Sequence, residues 1–257
     1  MRLTVIGGCG AWPEAGQACS GFLVEQDGFR LMVDLGYATV PRLLQLVAPG
    51  ELDAVYVSHG HPDHCADLNP LLRARAMGGA AGSDLALRED PSPPLPVYAP
   101  TGALDAVLAL DRPAMLADAY TLHEFTPGAS LDIGPFAAAT RLLPHYLPNA
   151  GLRLAGGGKV LAYTGDSGPA AEIAELARNA DLLVAEASYV DQVPEDSRRH
   201  LSSARQCGQQ AAQAGAGQLM LTHLMPGTDH QAARVAAGAG YDGQISVAAA
   251  GLALDLP

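Results

Sequence analysis

No run of eighteen apolar residues occurs in this 257-residue chain, which argues against a helical membrane span. Its start, MRLTVIGGCG, has one arginine and only a brief apolar stretch before glycines. That is too short for a secretory signal and reads as a first strand, so a cytoplasmic protein is expected. Basic residues are scarce: 15 Lys and Arg stand against 27 Asp and Glu, for a net charge of −12. The close basic pairs are confined to RARAM at 73–77 and DSRRH at 196–200, and no basic stripe is visible. Long nucleic acid is therefore disfavoured as a partner. A small anion is not, because metal ions can supply local positive charge. The four cysteines, Cys9, Cys19, Cys65 and Cys207, show no CxxC spacing. They read as small buried hydrophobes rather than a disulfide framework. The one tryptophan, Trp12, lies in the glycine-rich CGAWPEAG and is expected to anchor a loop to the core rather than to line a pocket.

Hydrophobic residues make up 49% of the chain, enough for a sizeable core, and no linker separates domains; one domain over 1–257 is expected. The alternation of apolar residues predicts strands near 3–6, 20–25, 29–34, 52–58, 95–100, 119–125, 130–133, 136–143, 151–155, 159–164, 181–188 and 218–224, with a closing strand pair at the end. Helical spacing appears at 40–47, 66–77, after Thr101, and at 170–180, 202–215 and 229–238. The Gly-, Ala- and Pro-rich residues 78–96 read as a surface excursion. Two runs of strands, each followed by strand–helix units, predict an α/β fold with two sheets packed face to face and helices outside.

The chemistry is concentrated in VYVSHGHPDHCADL, residues 55–68, where His59, His61, Asp63 and His64 directly follow a strand. Residues two apart on extended chain point the same way, and Pro62 suits the first turn of a helix. One loop can thus aim four donors into one volume, and imidazole with carboxylate suits zinc and related metals. Further donors sit at strand ends: His145 after FAAATRLLP, Asp166 in LAYTGDSG and His223 in LMLTHL. Taken singly, these could be a loop histidine, a helix cap and a core histidine; beside HxHxDH they read as ligands.

The motifs SHGHPDH, LPHYLPNAGLRL, YTGDSG and LTHL resemble, in order and over nearly the whole chain, those of the metallo-β-lactamase superfamily. The resemblance implies an αββα sandwich of two mixed sheets with a dinuclear site between them. It assigns His59, His61 and His145 to one metal, Asp63, His64 and His223 to the other, and Asp166 to both. Asp34, in LMVDLG, would support the histidine loop. The implied cofactors are two divalent ions: zinc first, with manganese or iron as alternatives.

VAEASY and RRHLSS are similar to segments of the ribonuclease Z-like branch, in which a glutamate and a histidine handle the leaving group's proton. The candidate catalytic residues are accordingly Asp63, Glu186 and His200, with Glu186 orienting the His200 ring. The alternative is that His200 caps a helix and Glu186 pairs with Arg198 or Arg199. The basic RNA-gripping arm of ribonuclease Z is missing, since only twenty residues, 146–165, separate His145 from Asp166. The order of motifs, with Cys65, Asp67 and Tyr241-Asp242-Gly243, resembles most closely the actinobacterial atypical class II cyclic-nucleotide phosphodiesterases. The expected function is a dinuclear metal-dependent phosphodiesterase acting on small phosphodiesters such as 3′,5′-cyclic nucleotides through a metal-activated water. The alternatives are ribonuclease Z-like RNA processing, another hydrolase of the superfamily acting on lactones, thioesters or sulfate esters, and a non-catalytic metal-binding protein. A homodimer is a possible assembly. His123 is expected to be a surface or sheet histidine and His230 a solvent-facing residue opening a helix.

Overall fold

Successive side chains of a strand point to opposite faces, so a strand buried on both sides feeds two cores at once. Along the first strands Leu3, Val5, Phe22, Val24, Leu31 and Val33 enter one core, while Ile6, Leu23 and Met32 enter another. The computed structural model describes residues 1–77 and 92–256. β1 (Arg2–Gly7), β2 (Gly21–Gln26), β3 (Phe29–Val33), β4 (Ala54–Tyr56), β5 (Leu95–Pro100) and β6 (Tyr120–Phe125) lie side by side in chain order. β7 (Ser130–Ile133), β8 (Phe136–Leu143), β9 (Asn149–Gly156), β10 (Lys159–Tyr163), β11 (Leu182–Glu186), β12 (Gln218–Thr222) and β13 (Gln244–Val247) form the second sheet, also in chain order. β14 (Ala253–Asp255) returns to the first sheet and pairs antiparallel with β1. Both sheets are mixed: β14, β1, β2 and β3 are antiparallel and β3 to β6 parallel, as β7 to β10 are antiparallel and β10 to β13 parallel.

The core between the sheets includes Tyr56, Phe136, Leu152, Leu154 and Met220. Tyr56 Oη donates to the Ala150 carbonyl at 2.9 Å, and Phe22 meets Tyr163 edge-on at 5.3 Å, tying the two sheets together. On the outer face of the first sheet lie α1 (Val40–Leu43), α2 (Pro62–Cys65), α3 (Leu68–Met77), α4 (Asp105–Leu108) and α5 (Pro113–Leu116). On the second sheet's side lie α6 (Ala171–Leu176), α7 (Ala204–Ala214) and α8 (His230–Gly238); α7 and α8 pack through small residues such as Ala211, Ala233 and Ala237. The result is the αββα sandwich.

Several helices are shorter than their periodicity predicts. α1 ends at Leu43, where the chain tightens: the Gln45 and Leu46 N–H groups donate three residues back, to the carbonyls of Arg42 and Leu43, and Leu44 and Leu46 face solvent. After Thr101, Pro113 cannot continue a helix, and α4 and α5 form as separate turns. The predicted helix at 66–77 begins as α3 at Leu68, with Pro70 in its first turn, where a missing N–H costs no helical bond. Residues 78–91 of the expected excursion lie outside the described residues, and Leu95 and Pro96 open β5. No helix among the described residues is long and apolar enough to cross a membrane.

Candidate metal centre

The site forms where strands of both sheets end. The chain leaves β4 through Ser58, His59, Gly60 and His61, then turns into α2, which carries Asp63 and His64. His145 follows β8, Asp166 follows β10 and His223 follows β12. His61 Nδ1 lies 3.0 Å from both His59 Nε2 and His145 Nε2. Asp166 Oδ2 stands 3.9 Å from His59 Nε2 and 3.8 Å from His145 Nε2. On the other side, His64 Nε2 is 3.1 Å from Asp166 Oδ1, and His223 Nε2 is 3.1 Å from both Asp63 Oδ2 and Asp166 Oδ2. Within each set of four the donor atoms lie within 4.8 Å of one another, and Asp166 belongs to both.

Hydrogen bonding alone leaves these atoms unsatisfied. His64 Nε2 and Asp166 Oδ1 are buried without a hydrogen-bond partner even though they face each other at 3.1 Å. Three ring nitrogens converge at His61, where a proton can bridge only one pair at a time. A cation in each cluster satisfies all of these lone pairs, and the donor set of imidazole nitrogens with two carboxylates fits zinc, manganese or iron.

For four of the five histidines the opposite ring nitrogen is already engaged. His145 Nδ1 donates to the His200 carbonyl at 2.9 Å, and His64 Nδ1 meets Asp34 Oδ2 at 2.7 Å. His59 Nδ1 meets Ser58 Oγ at 3.1 Å, and His223 Nδ1 meets Ser188 Oγ at 3.0 Å. Such partners orient the rings and leave Nε2 free for a metal. Asp34 also accepts from the Ser58 N–H at 2.7 Å, Ser58 Oγ at 2.8 Å and Tyr163 Oη at 2.7 Å, so one buried carboxylate joins both sheets. Asp34 and His223 both hold positive φ, 57° and 59°, a costly conformation for non-glycine residues that clusters at functional sites. Gly10 allows the first loop to pass His223: an added Cβ would stand 2.6 Å from its carbonyl oxygen.

Burial keeps His59 well below the ordinary imidazole range, helped by His64, and burial also lowers His61 and His145. These three remain neutral, as ligands must. Burial acts in the same direction on His64 and His223, but Asp166, with Asp34 at His64, overrides it. His64 is raised well above its usual value, and His223 to about 10. Asp63 and Asp166 are depressed despite burial, by His223 and His64.

A pH dependence follows for the metal-free protein. The His223 pKa lies above its ordinary 6.5, so this group's stabilisation is complete below 6.5 and is lost as pH rises to about 10. The Tm of chelator-treated protein should fall across that window, while metal-loaded protein and His223→Gln should show a flatter profile. Equal slopes for stripped and loaded protein would contradict it.

The structure does not bring Glu186 onto His200. Glu186 accepts from the backbone N–H groups of Ser167 at 2.8 Å, Ser188 at 3.3 Å and Ser202 at 3.1 Å. The expected pairing is corrected on this point: the buried carboxylate ties three chain segments together, and no hydrogen bond joins it to the imidazole among the described residues. Nor does it pair with Arg198, which meets Glu195. Burial, reinforced by the Asp166 charge, raises the Glu186 pKa to about 7.

The Trp12 expectation is also corrected, because the indole is 53% exposed. Its loop is fastened by main-chain bonds instead: Gly10 N–H to the Leu224 carbonyl at 3.0 Å and Ala11 N–H to Asp63 Oδ2 at 2.9 Å. Residues missed in the sequence hold the rest of the frame. Asn149 Nδ2 donates to the carbonyls of Thr164 at 2.9 Å and Asp166 at 2.6 Å. Its position in the LPNAGLRL motif was the available signal. Ser58 and Ser188 adjoin motif residues but are too common a type to stand out. All four cysteines are free and buried, and burial pushes Cys19 and Cys65 up to about 12, so they are poor nucleophiles. His123 stacks on Tyr98 within the first sheet, and His230 opens α8.

The family model described as the Beta-lactamase superfamily domain matches residues 31–224. The chain belongs to the β-lactamase superfamily. It is a metallo-β-lactamase-fold protein of the ribonuclease Z-like branch, and a metallo-hydrolase by family. The probable metallo-hydrolase YhfI of Bacillus subtilis (strain 168) is 31% identical over 255 residues, covering 98% of each chain. The YhfI crystal structure matches with a TM-score of 0.88 at 30% identity, again over 98% of each chain. Ribonuclease Z of Mycobacterium bovis (strain BCG / Pasteur 1173P2) is 28% identical over 250 residues, 88% of this chain and 86% of that protein. The crystal structure of human tRNase Z, short form, shares the fold with a TM-score of 0.79 at 21% identity over 100% of both chains. The residues beyond the ligands that narrow the superfamily resemblance serve the scaffold here. Asp67 accepts from the Val40 N–H at 2.8 Å, and Tyr241 Oη donates to the Ala216 carbonyl at 2.7 Å.

Proposed function

We propose that this metallo-β-lactamase-fold protein is a dinuclear phosphodiesterase acting on small phosphodiesters such as 3′,5′-cyclic nucleotides. The observation that carries the reading is the pair of donor clusters built on one shared carboxylate, with His200 joined to one of them through His145. His59, His61 and His145 would hold one divalent ion, Asp63, His64 and His223 the other, and Asp166 both. When bound, such ions supply Lewis acidity toward phosphate oxygens and ionise a water near neutral pH.

The chain's own residues position and protonate. Asp63 stays ionised, held by the Ala11 N–H and by His223, and keeps the glycine-rich loop against the site. As the bond from phosphorus to the departing oxygen breaks, His200 gives that oxygen its proton, which an alkoxide requires. Glu186 holds the chain on either side of these groups through Ser167 and Ser202. Residues 144–148 make a short connection between β8 and β9, and a tight turn at 157–158 joins β9 to β10. That leaves no arm between His145 and Asp166 to grip RNA, and the net charge of −12 disfavours a long polyanion.

The similarity to a ribonuclease Z makes RNA processing the reading to test against. Purified, metal-loaded protein is offered cyclic AMP, cyclic GMP, bis-p-nitrophenyl phosphate, precursor tRNA, a lactone, a thioester and an aryl sulfate. Hydrolysis of a cyclic nucleotide, lost with chelator and restored by divalent metal, is expected, with little cleavage of precursor tRNA. Efficient tRNA processing without cyclic-nucleotide turnover would overturn the reading, as would turnover of the lactone, thioester or sulfate alone.

A further inference from the structure

The His200 ring lacks the partner that a proton donor on a loop ordinarily has. Its Nδ1 is buried and accepts or donates no hydrogen bond. Glu186 is occupied by three backbone amides. The His200 main chain, by contrast, is fixed: its N–H donates to the Ser197 carbonyl at 2.8 Å and its carbonyl accepts from His145 Nδ1 at 2.9 Å. Only the rotation of the ring is left without a hydrogen bond, and torsions onto a flat ring are broad.

Tyr146 supplies that constraint. Its ring lies over the His200 imidazole with centroids 4.4 Å apart and planes 30° apart. The same ring meets His145 edge-on at 5.2 Å and 67°. Tyr146 is therefore wedged between a ligand of the site and the His200 imidazole. A stacked face blocks rotation of the ring beneath it, and pairs of this geometry are attractive beyond the area they bury. The Tyr146 hydroxyl makes no hydrogen bond among the described residues, and 52% of the residue is exposed, so its structural contribution comes from the ring face. We infer that Tyr146 is the positioning residue of His200, in the place where a carboxylate was expected to orient it. This rests on the reading of His200 as the group that protonates the leaving oxygen.

The test uses metal-loaded full-length protein with Tyr146→Ala, Tyr146→Phe, His200→Ala and the Tyr146→Ala/His200→Ala double variant, with metal content measured in each. Tyr146→Ala should lower kcat on a cyclic nucleotide by about 10–10²-fold, the scale of a misplaced reacting group. Metal content should be unchanged, and the loss should be much smaller on bis-p-nitrophenyl phosphate. Tyr146→Phe should restore most of the turnover, and Tyr146→Ala should add nothing to His200→Ala. A readout independent of activity is the ring-current shift of the His200 carbon-bound protons in NMR spectra, assigned by their absence in His200→Ala. It should be lost in Tyr146→Ala and kept in Tyr146→Phe. A Tyr146→Phe variant as impaired as Tyr146→Ala, or a rise in KM with kcat unchanged, would mean that Tyr146 touches substrate instead, and would overturn the inference. If His200→Ala loses turnover while Tyr146→Ala does not, the acid reading stands and the positioning role falls. If His200→Ala turns over normally, the acid reading falls and the catalytic consequence of the stack falls with it.

Discussion

Asp166→Ala is expected to empty both metal sites and lower turnover by about 10³-fold or more, because Lewis-acid activation is worth several kcal/mol. One side chain serves both clusters: Oδ1 faces His64 Nε2, while Oδ2 faces His223, His59 and His145. No other residue stands in both sets. The loop that presents it is fixed independently, by Asn149 on the Asp166 carbonyl and by Gly165 at φ +60°, so the alanine variant should keep the fold near the site. The substitution also removes the carboxylate that favours the His64 and His223 cations, which makes the metal-free variant less stable than the metal-free parent. Elemental analysis with Tm measurement checks both points. A variant that keeps two ions at full occupancy would show that Asp166 does not bridge. Loss of a single ion would assign it to one cluster.

His200→Ala is expected to cost about 10²–10⁴-fold in kcat on a cyclic nucleotide, the usual worth of a general acid, with metal content intact. The loss should shrink on p-nitrophenyl esters, whose leaving group departs without a proton. An equal loss on both substrates would mean that the ring does not protonate the leaving oxygen, since the carbonyl that accepts from His145 belongs to the main chain and persists in the alanine variant. Glu186→Gln should behave differently from His200→Ala. An amide in that pocket sets an N–H donor against backbone N–H donors, so the damage falls on the 167–168 and 202–203 segments whichever group leaves. A Glu186 defect that vanishes on good leaving groups would restore its pairing with His200.

Some of this was legible in one dimension. The alternation of Leu3, Val5, Phe22 and Val24 marks strands wherever the chain goes, because the period belongs to the backbone. HxHxDH is legible because its four donors share one short loop, so their convergence hardly depends on the rest of the fold. Helix length was harder to read: Leu44 and Leu46 have helical spacing yet face solvent, since nothing in the sequence says where the covering layer ends. Trp12 misled for a related reason, because a loop can be held by its main chain alone.

The sequence by itself determined where most strands lie along the chain, the two-sheet architecture and the types of donor available to a metal, while the split of the last two strands between the sheets came only with the fold. The first three follow from local periodicity and from the spacing of a few residues. Only the tertiary structure decided which ring nitrogen of each histidine faces its neighbours, that Asp34 ties His64 to Tyr163 across the sheets, that Glu186 spends its oxygens on amides, and that Tyr146 covers His200. Each of these depends on distances between chain ends from different strands. An error of one ångström there separates a hydrogen bond from a mere neighbour, and sequence spacing carries no such resolution.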